Sequence, residues 1–217
     1  MRKVPLPDGA KLSLYTAALT ALAAGVMSNA AHAVVTVANT LEVKAVVVIT
    51  SEDYPELEGH VARVKAATPD SVTLEGIDTS NLEKFPPGGK VSLIPLVADD
   101  WQRLPYVPSF GLTGGEIKTG TSSYLDVTDD QEFGLGRNAR RLEYTISWKQ
   151  DGEARAALQA SDGLESVHRL QFKDGSTSYY VGDLAYDDVP STEKGNEQTT
   201  KSTVLLRGAP TTLAKAA

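Results

Sequence analysis

Apolar positions along this chain recur mostly at every second residue or in short β-branched runs, and both patterns predict strands. Residues 141–148 show it best: Leu142, Tyr144, Ile146 and Trp148 share one face, and Arg141, Glu143, Thr145 and Ser147 share the other. Upstream, residues 34–37 and 42–50 carry β-branched runs (Val34, Val35, Thr36, Val37; Val46, Val47, Val48, Ile49) that suit buried strands. Residues 60–65, 71–77 and 90–96 alternate, with turns at Thr68-Pro69-Asp70-Ser71 and Phe85-Pro86-Pro87-Gly88-Gly89 between them. Residues 23–97 therefore read as a compact unit of short strands whose first and last members lie together, inserted between 1–22 and 98–217.

Past Asp99 the rhythm changes. Residues 101–113 read as extended chain broken by Pro105 and Pro108, and 114–138 as a long polar connection with scattered Leu125, Val127, Phe133 and Leu135. One helix is predicted: Asp151 caps it, Glu153 suits its first turn, Ala154, Ala157 and Leu158 fall at helical spacing, and Gly163 stops it. Residues 167–172 and 178–184 form a hairpin through Asp174-Gly175. Residues 189–196 are a polar loop, 198–207 a last strand, and the tail after Pro210 is expected to be loosely held.

The beginning of the chain supports two readings. Residues 12–41 hold no Asp, Glu, Lys or Arg, Arg2, Lys3 and Lys11 precede them, and Ala31-His32-Ala33 has the form of a leader cleavage site. Against that, Pro5, Pro7, Asp8 and Gly9 occupy the segment that should be basic, and Leu12, Leu14 and Thr16 alternate with Ser13, Tyr15 and Ala17 as in a half-buried strand. A secreted β-rich binding protein stays open on these residues. The run is too weakly apolar for a membrane helix.

With 217 residues, 41% hydrophobic and 23% charged, the chain can pack a core. A net charge of −7 argues against a protein that grips nucleic acid by its phosphates. The absence of cysteine removes disulfides, thiolate metal sites and thiol nucleophiles, and His32, His60 and His168 are too scattered for a metal motif. Asp129/Asp130 and Asp187/Asp188 read as solvated turns, His168 as a structural or edge histidine, and Gly134-Leu135-Gly136 lacks the context of a dinucleotide loop. No catalytic, cofactor or metal site emerges. The feature that exceeds background is the acidic run Asp126, Asp129, Asp130, Glu132, followed after Phe133 by Arg137, Arg140 and Arg141. It reads either as an exposed turn of mixed charge or as the two halves of a head-to-tail contact between copies.

Three blocks carry a resemblance: Lys3-Val4-Pro5-Leu6-Pro7-Asp8-Gly9-Ala10-Lys11-Leu12-Ser13, Leu57-Glu58-Gly59-His60-Val61-Ala62-Arg63-Val64 and Leu74-Glu75-Gly76-Ile77-Asp78-Thr79. With the order of elements from Arg141 to Leu206, they resemble the tail tube (major tail) proteins of long-tailed bacteriophages. Within the insert, Asn39-Thr40-Leu41-Glu42-Val43-Lys44 departs from the Gly-Asp turn of that pattern. The resemblance implies a mainly β fold: a β-sandwich with one flanking helix (1–22 and 98–217) and a small inserted β-domain (23–97) on the outer surface. It implies a structural virion protein, not an enzyme, with residues 12–20 as a strand rather than a leader. Copies form hexameric rings that stack into a non-contractile tail tube, assembled in the host cytoplasm, through which DNA is ejected without specific binding. Partners are the protein itself, the tape measure, distal tail and tail terminator proteins, and no membrane or cofactor. The acidic run, Phe133 and the three arginines become an inter-ring stacking loop. The tube of a contractile injection system and a single-ring terminator are the neighbouring alternatives.

Overall fold

Alternating segments bury their apolar faces by pairing with one another, and here two such systems form, with a separate two-stranded ribbon beside them. The computed structural model describes residues 9–122, 131–148, 152–191 and 197–215. Its strands are β1 (Lys11–Tyr15), β2 (Gly25–Met27), β3 (Val34–Thr36), β4 (Val46–Thr50), β5 (His60–Thr68), β6 (Ser71–Glu75), β7 (Lys90–Leu96), β8 (Trp101–Leu104), β9 (Ser109–Thr113), β10 (Ile117–Ser122), β11 (Gln131–Arg137), β12 (Arg141–Ser147), β13 (Glu165–Gln171), β14 (Thr177–Asp187), β15 (Thr199–Leu206) and β16 (Thr211–Leu213). A helix, α1 (Gly152–Ala160), lies between β12 and β13. The fold is mainly β with one helix, as expected.

The first system is an antiparallel sheet in the order β8-β1-β13-β14-β15-β12-β9, with β16 added to β14. Strands three places apart in a flat sheet are about 14 Å apart. Here the Tyr144 and His168 rings, from β12 and β13, have centroids 5.5 Å apart, and Phe110 reaches Tyr180 at 5.6 Å. The sheet therefore curls over itself, and the layers of the expected sandwich are two halves of one hydrogen-bonded sheet. Leu12, Leu14, Leu142, Tyr144, Ile146, Leu184 and Val204 fill the curl, and α1 adds Ala154 and Leu158.

The second system is the closed barrel β2-β3-β6-β5-β4-β7, sealed by pairing of β2 with β7. Val47 and Ile49 point into it, as do Ala62, Val64, Val91 and Leu93. The opposite faces of the same strands, Val48, Val61, Ile94 and Leu96, pack on Tyr15, Val167, Tyr179 and Val181 of the sheet. This explains the unbroken Val46–Ile49 run in the sequence: a wall covered on both sides has no polar face to alternate with.

Several expectations change in detail. Residues 114–138 are not a structureless connection, since β10 and β11 pair there as a two-stranded ribbon. The tail after Pro210 is held: β16 pairs with Thr177–Tyr179, the Val61 amide donates to Thr211 Oγ1 at 3.2 Å, and Arg63 donates to the Ala214 carbonyl at 2.5 Å. The Asn39–Lys44 turn works without glycine, because the Asn39 side chain accepts from the Leu41 amide at 3.0 Å and Lys44 takes φ 74°. Of the leader-like segment, Leu12 and Leu14 sit in β1 between β8 and β13, and Ala33 is buried in the barrel core.

The helix ends at Ala160 and the expected stop, Gly163, takes φ 71° in the turn that follows, while the expected cap Asp151 lies outside the described residues. Asp188 is not an idle turn residue. It accepts two bonds from Arg155 (2.7 and 2.6 Å), one from Gln159 (2.9 Å) and one from the Tyr186 hydroxyl (3.0 Å), while the Arg155 guanidinium lies 3.9 Å over the Trp148 ring. The Arg155 bonds hold the Asp188 carboxyl at about 2, well below its ordinary range, so this helix-to-sheet link persists until strongly acid pH.

His168 is fully buried, its Nε2 2.9 Å from the Tyr144 hydroxyl and its Nδ1 without a partner among the described residues. Burial pulls its pKa from 6.5 down to about 3, so it is neutral in the fold. The unfolded chain binds that proton near pH 6.5 and the folded one only near 3, so folding stability falls as pH drops through the interval. The expected loss is up to about 1.4 kcal/mol per pH unit. Urea titrations at pH 7, 6 and 5 should show this slope in the wild type and a shallower one in His168→Leu; equal slopes would exclude a buried neutral histidine. Tyr144→Phe, which strips Nε2 of its partner, should cost about 1–3 kcal/mol at pH 7.

Candidate functional site

Among the described residues, the strands of the ribbon β10–β11 pair with nothing but each other. It continues directly from β9, the last strand of the curled sheet, where four of five residues are exposed. All seven residues of β11 are exposed. Phe133 and Leu135 alternate onto one face and lie over Gly120 of the partner strand: a Cβ there would sit 2.8 Å from Phe133 Cζ and 3.2 Å from Leu135 Cδ1. Glycine thus lets two large side chains cover the opposite backbone, yet Phe133 remains 49% and Leu135 62% exposed. An isolated two-stranded ribbon is marginal in water, so this one has apolar surface and an ordering cost still to be offset.

The residues singled out in the sequence separate by position. Asp126, Asp129 and Asp130 lie outside the described residues, in the segment joining β10 to β11. Glu132 stands at the far end of β11, beside them in sequence. Arg137, Arg140 and Arg141 gather at the root. Arg137 donates to the Gly115 carbonyl at 3.0 Å, Arg140 lies along Gly115, and Arg141 opens β12. Five residue steps along the strand, about 17 Å, separate Glu132 from Arg137, so these two do not pair within one molecule.

A second surface had no clear signal in the sequence beyond its two prolines. The connection 105–108 between β8 and β9 overhangs a cleft of about 460 Å³, floored by Leu12, Leu104, Phe110 and Leu170. Lys11 and Arg103, both exposed, stand at its lining. Tyr106 is 72% exposed and holds φ 51°, a left-handed conformation that costs a non-glycine residue about 1–3 kcal/mol.

Among the described residues no three His, Asp or Glu side chains group as metal ligands. Arg207 bridges the two systems, 3.1 Å from Glu165, 3.2 Å from Asp183 and 3.8 Å from Glu58. That is an ion-pair network at the barrel–sheet junction, with Gly208 allowing the Glu58 carbonyl to approach where a Cβ would be 2.3 Å away.

The unsupported ribbon makes a direct prediction. In the free chain, chymotrypsin should cut first at Phe133 and Leu135, because the ribbon opens at lower cost than either core. Mass spectrometry of the earliest fragments checks this; a first cut within β14 or the barrel would show that the ribbon is held more firmly than its contacts indicate.

Among known sequences, the profile of one family, described as phage tail tube protein, matches residues 52–215. No curated protein matches the chain.

Proposed function

The chain belongs to the phage tail tube protein family, and from that premise we propose that its copies close into hexameric rings that stack as the tube of a long non-contractile tail and conduct DNA during ejection. Family membership makes it a structural component of the virion tail that assembles with copies of itself, not an enzyme. The observation that carries the finer reading is the exposed β9 edge running into an unpaired ribbon. Open sheet edges invite pairing with another chain, and a ring of copies removes them. A net charge of −7 suits a lumen that DNA phosphates must pass without sticking.

In this reading residues 1–22 and 98–217 form the tube wall. Residues 23–97 form an inserted domain on its outside, supported by a barrel that closes on itself through β2 and β7. The ribbon reaches an adjacent ring. Its acidic run (Asp126, Asp129, Asp130, Glu132) faces cations there, with Arg137, Arg140 and Arg141 as the candidates legible in the sequence. Opposite charge at the two ends of a repeating contact sets the polarity of the stack. Assembly in the host cytoplasm, around a tape measure protein and between distal tail and terminator proteins, completes the proposal.

Negative-stain microscopy of the purified protein should show hollow tubes with sixfold end views. A monomer, or a ring that never stacks, overturns the reading. The charge-reversed Asp129→Lys, Asp130→Lys variant should keep the wild-type unfolding temperature and lose the tubes; normal tubes at physiological salt would remove the electrostatic contact.

A further inference from the structure

On the face of the curled sheet that turns away from its own core, cations gather at one end. Ser13 of β1 pairs with Arg103 of β8 on one side and Arg169 of β13 on the other, so both arginines share its face. Arg169 reaches across β1 to lay its guanidinium 4.2 Å over the Trp101 ring, on the strand that carries Arg103. Lys11 stands two residues before Ser13, and Lys173 and Lys215 lie along Gly9 and Gly175 at the same end. The carboxylates nearby are engaged. Asp174 accepts from the Ser176 amide and hydroxyl at 2.8 and 2.6 Å, and Glu75 pairs with Arg63 at 3.3 Å. Among the described residues neither Arg103 nor Arg169 meets a carboxylate. Arg169 is also half-buried, and burial lowers its pKa. A partly desolvated cation beside a second one, with no counter-charge, is an unfavourable arrangement for a free chain.

The other end of the same strands is acidic. Glu165 and Asp183 are cross-strand neighbours, and Arg207 joins both to Glu58 of the barrel. Glu58 belongs to the 51–58 connection, which also holds Glu52, Asp53 and Glu56 and no Lys or Arg. Those three are exposed, and the connection is the densest run of carboxylates among the described residues. Four residue steps of β13, about 13 Å, separate Glu165 from Arg169, more than an ion pair spans.

We infer that the 51–58 connection of one copy seats its carboxylates on the Arg103–Arg169 face of a second copy. The occupant follows from charge complementarity in a chain that assembles with copies of itself: each subunit brings one dense acidic run and one cationic face that has no counter-charge of its own. The planar guanidinium fork matches a carboxylate, and the match supplies the charge that Arg169 lacks. Because the contact joins two different patches, it is heterologous and propagates from copy to copy. The inference rests on the assembly of copies, not on ring symmetry or on the β10–β11 ribbon.

A charge swap tests it. Arg103 and Glu52 are exposed, so Arg103→Glu and Glu52→Arg should keep the wild-type unfolding midpoint. Each should raise the concentration needed for polymerisation, followed by sedimentation, by about tenfold or more, because like charges then face each other. Lys11→Glu, on the same face, should act in the same direction. The double variant Arg103→Glu, Glu52→Arg should polymerise like the wild type. The control Arg103→Glu, Asp70→Arg has the same net charge, −7, since each pair loses two units and gains two. Asp70 is exposed and lies beyond the far end of β5 from the 51–58 connection, so this control should not recover. A double variant no better than Arg103→Glu overturns the docking, which is also the outcome if DNA phosphates or another tail protein occupy the face. Equal recovery in the control, or wild-type polymerisation of the single variants, overturns it too, and all three results leave the tube reading standing. A wild-type protein that stays monomeric overturns both.

Discussion

Strand β14 has an apolar core on each side, and the rest of the molecule is arranged to keep it so. Tyr180 and Leu184 face the curl of the sheet, and Tyr179 and Val181 face the barrel. The edge of β14 opposite β13 is shared between β15, from Gly182 to Asp187, and β16, from Thr177 to Tyr179. A strand buried on both faces and paired along both edges cannot slip register without moving apolar side chains into water. The barrel and the sheet are consequently joined by a packed seam, with the Arg207 ion pairs and the tail strand β16 at its margin.

Among the exposed apolar side chains of the described residues, Leu112, Ile117, Phe133 and Leu135 belong to one continuous stretch of β9, β10 and β11. The ribbon extends from the packed body, and its Phe133 and Leu135 keep 49% and 62% of their surface in water. In a monomeric protein such a segment would be a liability for uncontrolled association. In a chain that assembles with copies of itself it is where we propose that subunits meet, because surface left wet in the free subunit supplies a drive to assemble.

The core of the site and of the fold were legible to different depths. Residues 141–148 and the Asp174-Gly175 hairpin could be read directly, since one half-buried face produces alternation and a positive-φ turn demands glycine. The ribbon was concealed by composition: no residue of β10 or β11 is buried, and the Gly, Thr and Ser around Phe133 and Leu135 read as loop. Asp188 looked like a solvated neighbour of Asp187 because its partner Arg155 lies a whole helix and hairpin away in sequence. The cleft was hidden for a similar reason, its floor being assembled from β1, β8, β9 and β13.

By itself, then, the sequence determined the mainly β class, the single helix, the places of most strands and the separation of acidic from basic residues in the 126–141 segment, because each depends on local spacing or charge. The tertiary structure alone decided that Val48, Val61, Ile94 and Leu96 face a second core, that the sheet curls until Tyr144 meets His168, and that Thr211–Leu213 is a strand. These outcomes depend on contacts between segments far apart in the chain. No local pattern encodes which of two apolar faces will find a partner.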